Sequence, residues 1–348
     1  MKRLIQSVHI RNFKGLQNIQ LDGVSRINVI GGNNNVGKSS VLEAIFLLYT
    51  ALGRQLMIRQ QLGLRNMVER AAGQEKDWAM LVYDMDEQRK IEIEVQSSSM
   101  KRSLTCEISS TDDSLMPDEA ILPQLNNNPL SVMHILYQTD QGGIYQGDIF
   151  SNNQYVEKKR EGNLQFPNVY ILRSSVLTNH QINALANLDQ ANQMGMVLGI
   201  LRLIEPSIRG LSILPTGNGN EIYADVGLPR KLPLKMLGDG MGHVLSFILA
   251  MVIAKNGILL IDEIENGIYH QMQTKLWQQI DFLSQRFDCQ VFATTHSYEC
   301  LQALYQATES SKELSYFRLE KNREQEVFVE PYSREELGQA LAMNWEVR

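Results

Sequence analysis

Apolar and polar residues alternate at the start of the chain, and that period of two predicts strands at residues 3–10, 17–21 and 25–30, with Asp22-Gly23 as a turn between the second and third. After Ser40 the period lengthens. Val41, Leu42, Ile45, Phe46, Leu48, Tyr49 and Leu52 fall at helical spacing over a broad face, so a largely buried helix follows a glycine-bearing loop. From about 75 to 175 short alternating segments return, among them "AMLVYDM", "KIEIEVQ", "SLTCEIS", "HILYQTD" and "NVYILRS", and these predict antiparallel sheet. Residues 178–205 read as helical through Ile182, Leu185, Leu188, Val197, Leu201 and Ile204, and Pro206 stands where the helix must stop.

Further on, the unbroken apolar run of "GILLIDE" (257–263) predicts a strand covered on both faces, as in a parallel sheet. A helical stretch, "IYHQMQTKLWQQIDFLSQRF", separates it from a second such strand in "CQVFATTHS" (289–297). "ELSYFRL" and "EVFVEPY" read as two more strands, and Ser333 with Glu336 three residues on forms a capping box for a last helix. The two ends of the chain thus predict one α/β core around an inserted middle: residues 1–53 with 228–348 as core, and 54–227 as a β-rich and helical lobe.

Composition adds limits rather than identity. A chain of 348 residues with 43% hydrophobic and 21% charged residues is that of a soluble globular protein, and no run approaches the roughly 18 apolar residues needed to span a bilayer. "MKRLIQSVHIRNF" alternates too soon for a signal-peptide core, so the expected location is the cytoplasm. Cys106, Cys289 and Cys300 are odd in number and far apart, which argues against a disulfide framework or a zinc site. A net charge of -6 makes the whole molecule a poor binder of polyanions, so contact with nucleic acid would need a local patch.

The chemistry sits in two places. Gly32-x4-Gly37-Lys38-Ser39 satisfies the phosphate-loop pattern between a predicted strand and a predicted helix. Glycines let backbone N–H groups turn inward, with Asn33, Asn34, Asn35, Val36 and Ser40 shaping the cradle; Lys38 can reach the β- and γ-phosphates of ATP and Ser39 can hold Mg²⁺. Asp262 and Glu263 close the apolar run. The first acid is placed to hold Mg²⁺ through water, and the second to take a proton from an attacking water.

"IRNFKGL", "GGNNNVGKSS", "ILLIDEIENGIYH" and "VFATTHS", in that order, resemble the ABC-type ATPase heads of the RecF, SMC and overcoming-lysogenization-defect (OLD) class, above all its stand-alone AAA-type ATP-binding members. The resemblance covers about 1–53 and 228–348, with "EELGQALAMNWEVR" included. It implies a P-loop core with a mixed, mostly parallel sheet flanked by helices, an antiparallel β lobe and a helical insert. It implies that His296 is the switch histidine at the γ-phosphate, and that Glu265, Asn266 and His270 lie where dimer contacts form. "LGDGMGHVLS" stands in for the family's signature helix start, with its serine and one glycine replaced; Gly238, Gly240 and Gly242 still allow close approach to a partner's phosphate. The glutamine loop has two candidates, Gln96 and Gln138, with nothing to choose between them.

The expected function is ATP binding that closes a head-to-head homodimer and hydrolysis that opens it. A separate effector, a nuclease or toxin, or DNA would be the partner, and phage defence or DNA repair the process. The alternatives are a P-loop phosphotransferase or a nucleotide-binding regulatory subunit with little turnover. A GTPase lacks its Asn-Lys-x-Asp stretch here, and a nuclease reading fails because the roughly fifty residues after "TTHS" hold no DxD pair. No heptad run supports an SMC-type arm. The bases Arg54, Arg59, Arg65 and Arg70 divide between two helix faces, and "EKKREG" (157–162) reads as a surface turn.

Overall fold

Along the chain the computed structural model begins with β1 (Ser7–Phe13), β2 (Leu16–Asp22), β3 (Ile27–Gly32) and α1 (Lys38–Thr50). There follow β4 (Ile91–Gln96), β5 (Lys101–Ser110), β6 (Ser131–Thr139), β7 (Ile144–Phe150), β8 (Tyr155–Glu161) and β9 (Val169–Leu172). Next come α2 (Asn179–Gln190), α3 (Met194–Leu201), β10 (Gly210–Thr216), β11 (Gly219–Asp225), β12 (Leu232–Pro233) and α4 (Asp239–Ile253). The chain closes with β13 (Ile258–Ile261), α5 (His270–Arg286), β14 (Gln290–Thr294), α6 (Tyr298–Ala307), β15 (Leu314–Lys321), β16 (Val327–Tyr332) and α7 (Arg334–Ala342). The structure describes residues 4–50, 78–110, 131–150, 155–162, 164, 166–173, 176–217, 219–308 and 313–343.

Among the described residues, one six-stranded sheet has the order β16-β15-β3-β14-β13-β9, with β15, β3, β14, β13 and β9 parallel and β16 antiparallel at the edge. A seven-stranded antiparallel sheet runs β2-β1-β4-β5-β6-β7-β8, and β10-β11-β12 form a small third sheet. This is the α/β P-loop architecture the sequence predicts.

Helix α1 lies between the two large sheets. Its residues Val41–Tyr49 are all buried, because one side meets Ile30, Leu260 and Phe292 of the parallel sheet and the other meets Val8, Ile10 and Ile93 of the antiparallel one. That double cover explains the broad apolar face. Alternate residues of the same strands, Val29, Leu259, Ile261 and Val291, face the opposite way and pack under Leu245 of α4, Trp277 and Ile280 of α5, Leu301 of α6 and Leu337 of α7. A strand covered on both faces has no polar side to show, hence the continuous apolar runs.

Several expectations shift. The sheets cut across the division at 53 and 228: β1 and β2 join the antiparallel sheet, while β9 joins the parallel one beside β13. "NVYILRS" is therefore a parallel core strand and not part of the antiparallel lobe. "AMLVYDM" forms two short 3-10 turns, Trp78–Leu81 and Tyr83–Met85, because Asp84 and Met85 adopt left-handed φ of 56° and 55° that no strand tolerates. The helix expected at 178–205 breaks at Asn192, whose φ of 56° ends α2, and Gln193 N–H closes the turn on Leu188 O at 2.8 Å. The expected turn 157–162 belongs mostly to β8, whose charges protect a sheet edge from pairing with another chain. Arg54, Arg59, Arg65 and Arg70 lie outside the described residues.

Candidate functional site

The parallel strands β3, β13 and β14 end at one edge of their sheet, and the chemistry-bearing motifs lie at those ends. That is where open α/β sheets carry their ligands. The loop between β3 and α1 is shaped by two glycines. Gly32 has a φ of 127°, and a Cβ there would stand 2.3 Å from Leu319 O of the neighbouring strand. Gly37 has a φ of 97°, and its Cβ would meet Leu16 Cδ2 at 2.6 Å. No other residue type fits either place. Between them Asn33, Asn34 and Asn35 are exposed, with Asn35 at a φ of 63°, while Val36 is buried in the core under α1. Val36 thus anchors the cradle while the asparagines face its opening.

Lys38, the first residue of α1, folds back across the loop: its Nζ donates to Gly32 O at 2.7 Å and to Asn33 O at 2.8 Å. Burial lowers its pKa below the ordinary lysine value, against the opposing pull of Glu265, Glu263 and Asp262. Ser39 Oγ donates to Asp262 Oδ1 at 2.8 Å, and Thr294 Oγ1 donates to the same oxygen at 2.7 Å. Parallel register sets the second bond, since Ile261 pairs with Ala293 and their next residues meet. Thr294 Oγ1 in turn accepts the Glu263 N–H at 2.8 Å. Glu263 takes a left-handed φ of 51° as the strand ends, and its carboxylate accepts from Asn266. Ser40 is half-buried beside Ser39 on the first turn of the helix.

His296 follows β14, its ring half-exposed; its N–H and its Nδ1 both lie 2.8 Å from Glu265 Oε1. The Glu265 carboxylate is 8% exposed, with Oε2 buried and without a partner among the described residues. His270 opens α5 and packs on the exposed Tyr269 ring, and Asn266 is exposed. The signature segment Leu237–Ser246 starts on the last residue of a 3-10 turn (Leu234–Leu237), passes through Gly238 at a φ of 97°, and from Asp239 on forms the first half of α4. A Cβ at Gly240 would have only Gly267 O, at 3.7 Å, within 4 Å, so Gly240 packs on the loop after the acid pair and not on its own phosphate loop. Gln96 and Gln138 stand on strands of the antiparallel sheet, paired with Lys101 and Ser103, and neither reaches this edge.

Sequence reasoning missed four contributors: Thr294, the inward role of Glu265, and the pair Glu43–Arg173. Glu43 is 6% exposed in α1 and holds both Lys14 and Arg173, the latter at 2.6 Å. Its signal was a lone carboxylate inside an apolar helix face. A cavity of about 50 Å³ beside the acids is lined by Arg173, His243, Ser246, Asp262, Glu263 and Asn266.

Mg²⁺ fits the donor set in one specific way. Among the described residues no cluster of three or more His, Cys, Asp or Glu side chains encloses a metal, whereas Ser39 Oγ and Asp262 Oδ1 already meet. That is the donor set of an ion that binds through few protein oxygens and completes its shell with water and phosphate.

Sheet order, glycine loop and acid pair are those of a P-loop core of ATPase type. The family model described as AAA ATPase domain matches residues 1–194 and 212–301, and the chain belongs to that family. A protein of Helicobacter pylori named ATP/GTP phosphatase is 26% identical over 332 residues, covering 87% of this chain and 88% of that one. The DNA replication and repair protein RecF of Clostridium acetobutylicum is 38% identical over 50 residues, 14% of this chain and 13% of its own. Among solved structures, an SMC head bound to the C-winged helix domain of ScpA is 12% identical, with a TM-score of 0.49 over 97% of this chain and 100% of that one. No helix among the described residues is long and apolar enough to cross a membrane.

Proposed function

We propose that the protein is a Mg²⁺-dependent ATPase of the cytoplasm that binds ATP between two copies of itself, head to head, and reopens on hydrolysis. The observation that carries this reading is the hydrogen-bonded chain Ser39–Asp262–Thr294–Glu263, which ties the phosphate loop to the acid pair across two strands. Lys38 exchanges the carbonyls of Gly32 and Asn33 for phosphate oxygens, and the backbone of 32–40 supplies N–H donors. Ser39 and Asp262 would hold Mg²⁺ at the phosphates, where the ion would supply positive charge against the β- and γ-phosphate oxygens. Glu263 accepts the proton of the attacking water, and Asn266 holds its carboxylate in place. His296, oriented through Nδ1 by Glu265, presents its other ring nitrogen toward the γ-phosphate.

Gly238 and Gly240 face the partner's nucleotide in the closed dimer, since their own phosphate loop lies elsewhere. The motion drives a separate effector, a nuclease or a toxin, or acts on DNA, in phage defence or DNA repair. ATP turnover by the purified protein tests the core of this reading: if both Lys38→Ala and Glu263→Gln leave it unchanged, the reading fails. Glu263→Gln binds ATP, turns it over far more slowly and accumulates dimers on size exclusion with ATP and Mg²⁺; a monomer under those conditions removes the head-to-head closure. The name of the Helicobacter relative makes GTP the competing substrate to run beside ATP.

A further inference from the structure

We propose that Arg173 is a second phosphate-facing cation of this hydrolytic site, parked on Glu43 until a nucleoside triphosphate binds. The inference rests on the ATPase reading and adds a residue to it. Leu172 ends β9 in parallel register with Ile261, and the Asp262 N–H donates to Leu172 O at 2.9 Å. The next side chain, Arg173, therefore leaves its strand at the same sheet edge as the acid pair. It lines the small cavity that Asp262 and Glu263 also line.

Its attachments show a group with capacity to spare. Among the described residues its one ion pair is with Glu43, through Nη2 to Oε1 at 2.6 Å. The Nε–H is buried and has no acceptor among the described residues. Glu43 stands one helical turn beyond Ser39, is buried, and is shared with Lys14 from the turn between β1 and β2. Two cations thus rest on one carboxylate. When Arg173 turns away, Lys14 remains to neutralise Glu43, so the release strands no buried anion. Lysine would be a poorer choice, since only the planar guanidinium offers a fork of donors that grips two phosphate oxygens at once.

In the reaction a bond forms between the water oxygen and the γ-phosphorus as the bond from that phosphorus to the bridging oxygen breaks. The electron pair leaves with the diphosphate, the water proton goes to Glu263, and the Arg173 N–H groups donate to phosphoryl oxygens that gain charge. The charged groups around that path are Lys38, Asp262, Glu263, Glu265 and Arg173, with Glu43 and Lys14 behind. Arg173 is the cation among them whose release leaves its carboxylate paired.

The test uses the full chain, with ATP turnover, ATP affinity and melting temperature measured together. Arg173→Ala lowers kcat about 100-fold while ATP affinity stays within threefold, and added guanidinium ion restores part of the rate. The double variant Glu43→Gln with Arg173→Ala separates a chemical role from a charge-balancing one. It stays as slow as Arg173→Ala if the guanidinium acts on phosphate, and recovers both kcat and melting temperature if Arg173 only balances Glu43, which overturns the proposal. Where the double variant does not fold, rescue of Arg173→Ala by guanidinium decides, and no rescue counts against the proposal. Loss of turnover in Lys38→Ala and Glu263→Gln with kcat kept in Arg173→Ala rejects this inference alone; turnover kept in all three rejects the ATPase reading itself.

Discussion

The parallel and the antiparallel sheet share α1 as a common neighbour, yet they use polar residues in opposite ways. In the parallel sheet, β13 and β14 are buried along their whole length and apolar between their ends: the polar side chains are Gln290, which opens β14 and holds the backbone of Ile5 and Ser25, Thr294, which closes it, and Asp262, which follows β13. In the antiparallel sheet one face packs on α1 and the other carries cross-strand pairs such as Arg11–Glu92, Lys90–Glu107 and Lys101–Glu94. These charges pair with one another and spend their donors within the sheet. At the parallel edge, by contrast, Lys38 sits on backbone carbonyls and Arg173 has an Nε–H with no acceptor among the described residues, which is why the proposed ligand-facing cations are found there. Burial on both faces forces polar groups to the strand ends, and a strand end is where a phosphate can be reached.

The largest test of that division is catalytic. Glu263→Gln is expected to lower ATP turnover about 1,000-fold. His134→Ala, which removes a polar pair on the antiparallel sheet, leaves turnover within twofold; a loss there would break the contrast. Next in size is the core. Phe292→Ala empties a fully buried site between α1 and β14 and should cost about 3–5 kcal/mol in a denaturant titration, whereas Ile93→Val in the antiparallel sheet costs about 0.5–1.5 kcal/mol.

A smaller effect comes from Asp148, buried under the bonds it accepts from His134 at 2.8 Å and Lys158 at 2.6 Å. Asp148→Ala removes both bonds from half-exposed partners that water can then satisfy, and should cost about 1 kcal/mol, with no change in turnover. The smallest effect joins the two regions instead of dividing them. Burial pushes the thiols of Cys106, Cys289 and Cys300 up to about 12 from an ordinary value of 9.0. A thiol reagent at pH 8 should leave the folded protein almost untouched and titrate all three cysteines once it is unfolded. The sign follows: the unfolded chain loses these protons first, so their contribution to stability is complete below pH 9 and declines as pH rises toward 12. A melting temperature that rises across that window would contradict the burial of all three.

Much of this was open to a reader of the sequence. A run such as Ile258-Leu259-Leu260-Ile261 ending in acids can only be a covered strand that stops at the surface, and Gly32 and Gly37 stand where a side chain cannot fit. The misread elements fail for reasons just as definite. "VYIL" is four residues long, and a short apolar run carries no sign of whether its neighbour runs parallel or antiparallel. With β9 misassigned to the antiparallel lobe, Arg173 had no reason to be near the acid pair. Gln96 and Gln138 looked eligible because a side-chain type says nothing of the sheet it ends on. At Asn192 the helical period continues through the break, and one left-handed φ overrides it.

Local pattern therefore settles what depends on nearest neighbours along the chain: the glycine turn between β3 and α1, the capping box at Ser333 and the covered character of β13 and β14. Tertiary structure alone decides which distant residues meet. Ser39 and Asp262 are 223 positions apart, and Glu43 and Arg173 are 130 apart, so no period or motif encodes either contact. They meet because parallel register brings the ends of β3, β14, β13 and β9 to one edge and packs α1 across them. Hydrogen bonds between strands are indifferent to side chains, and only the burial of both faces selects the order in which the strands lie.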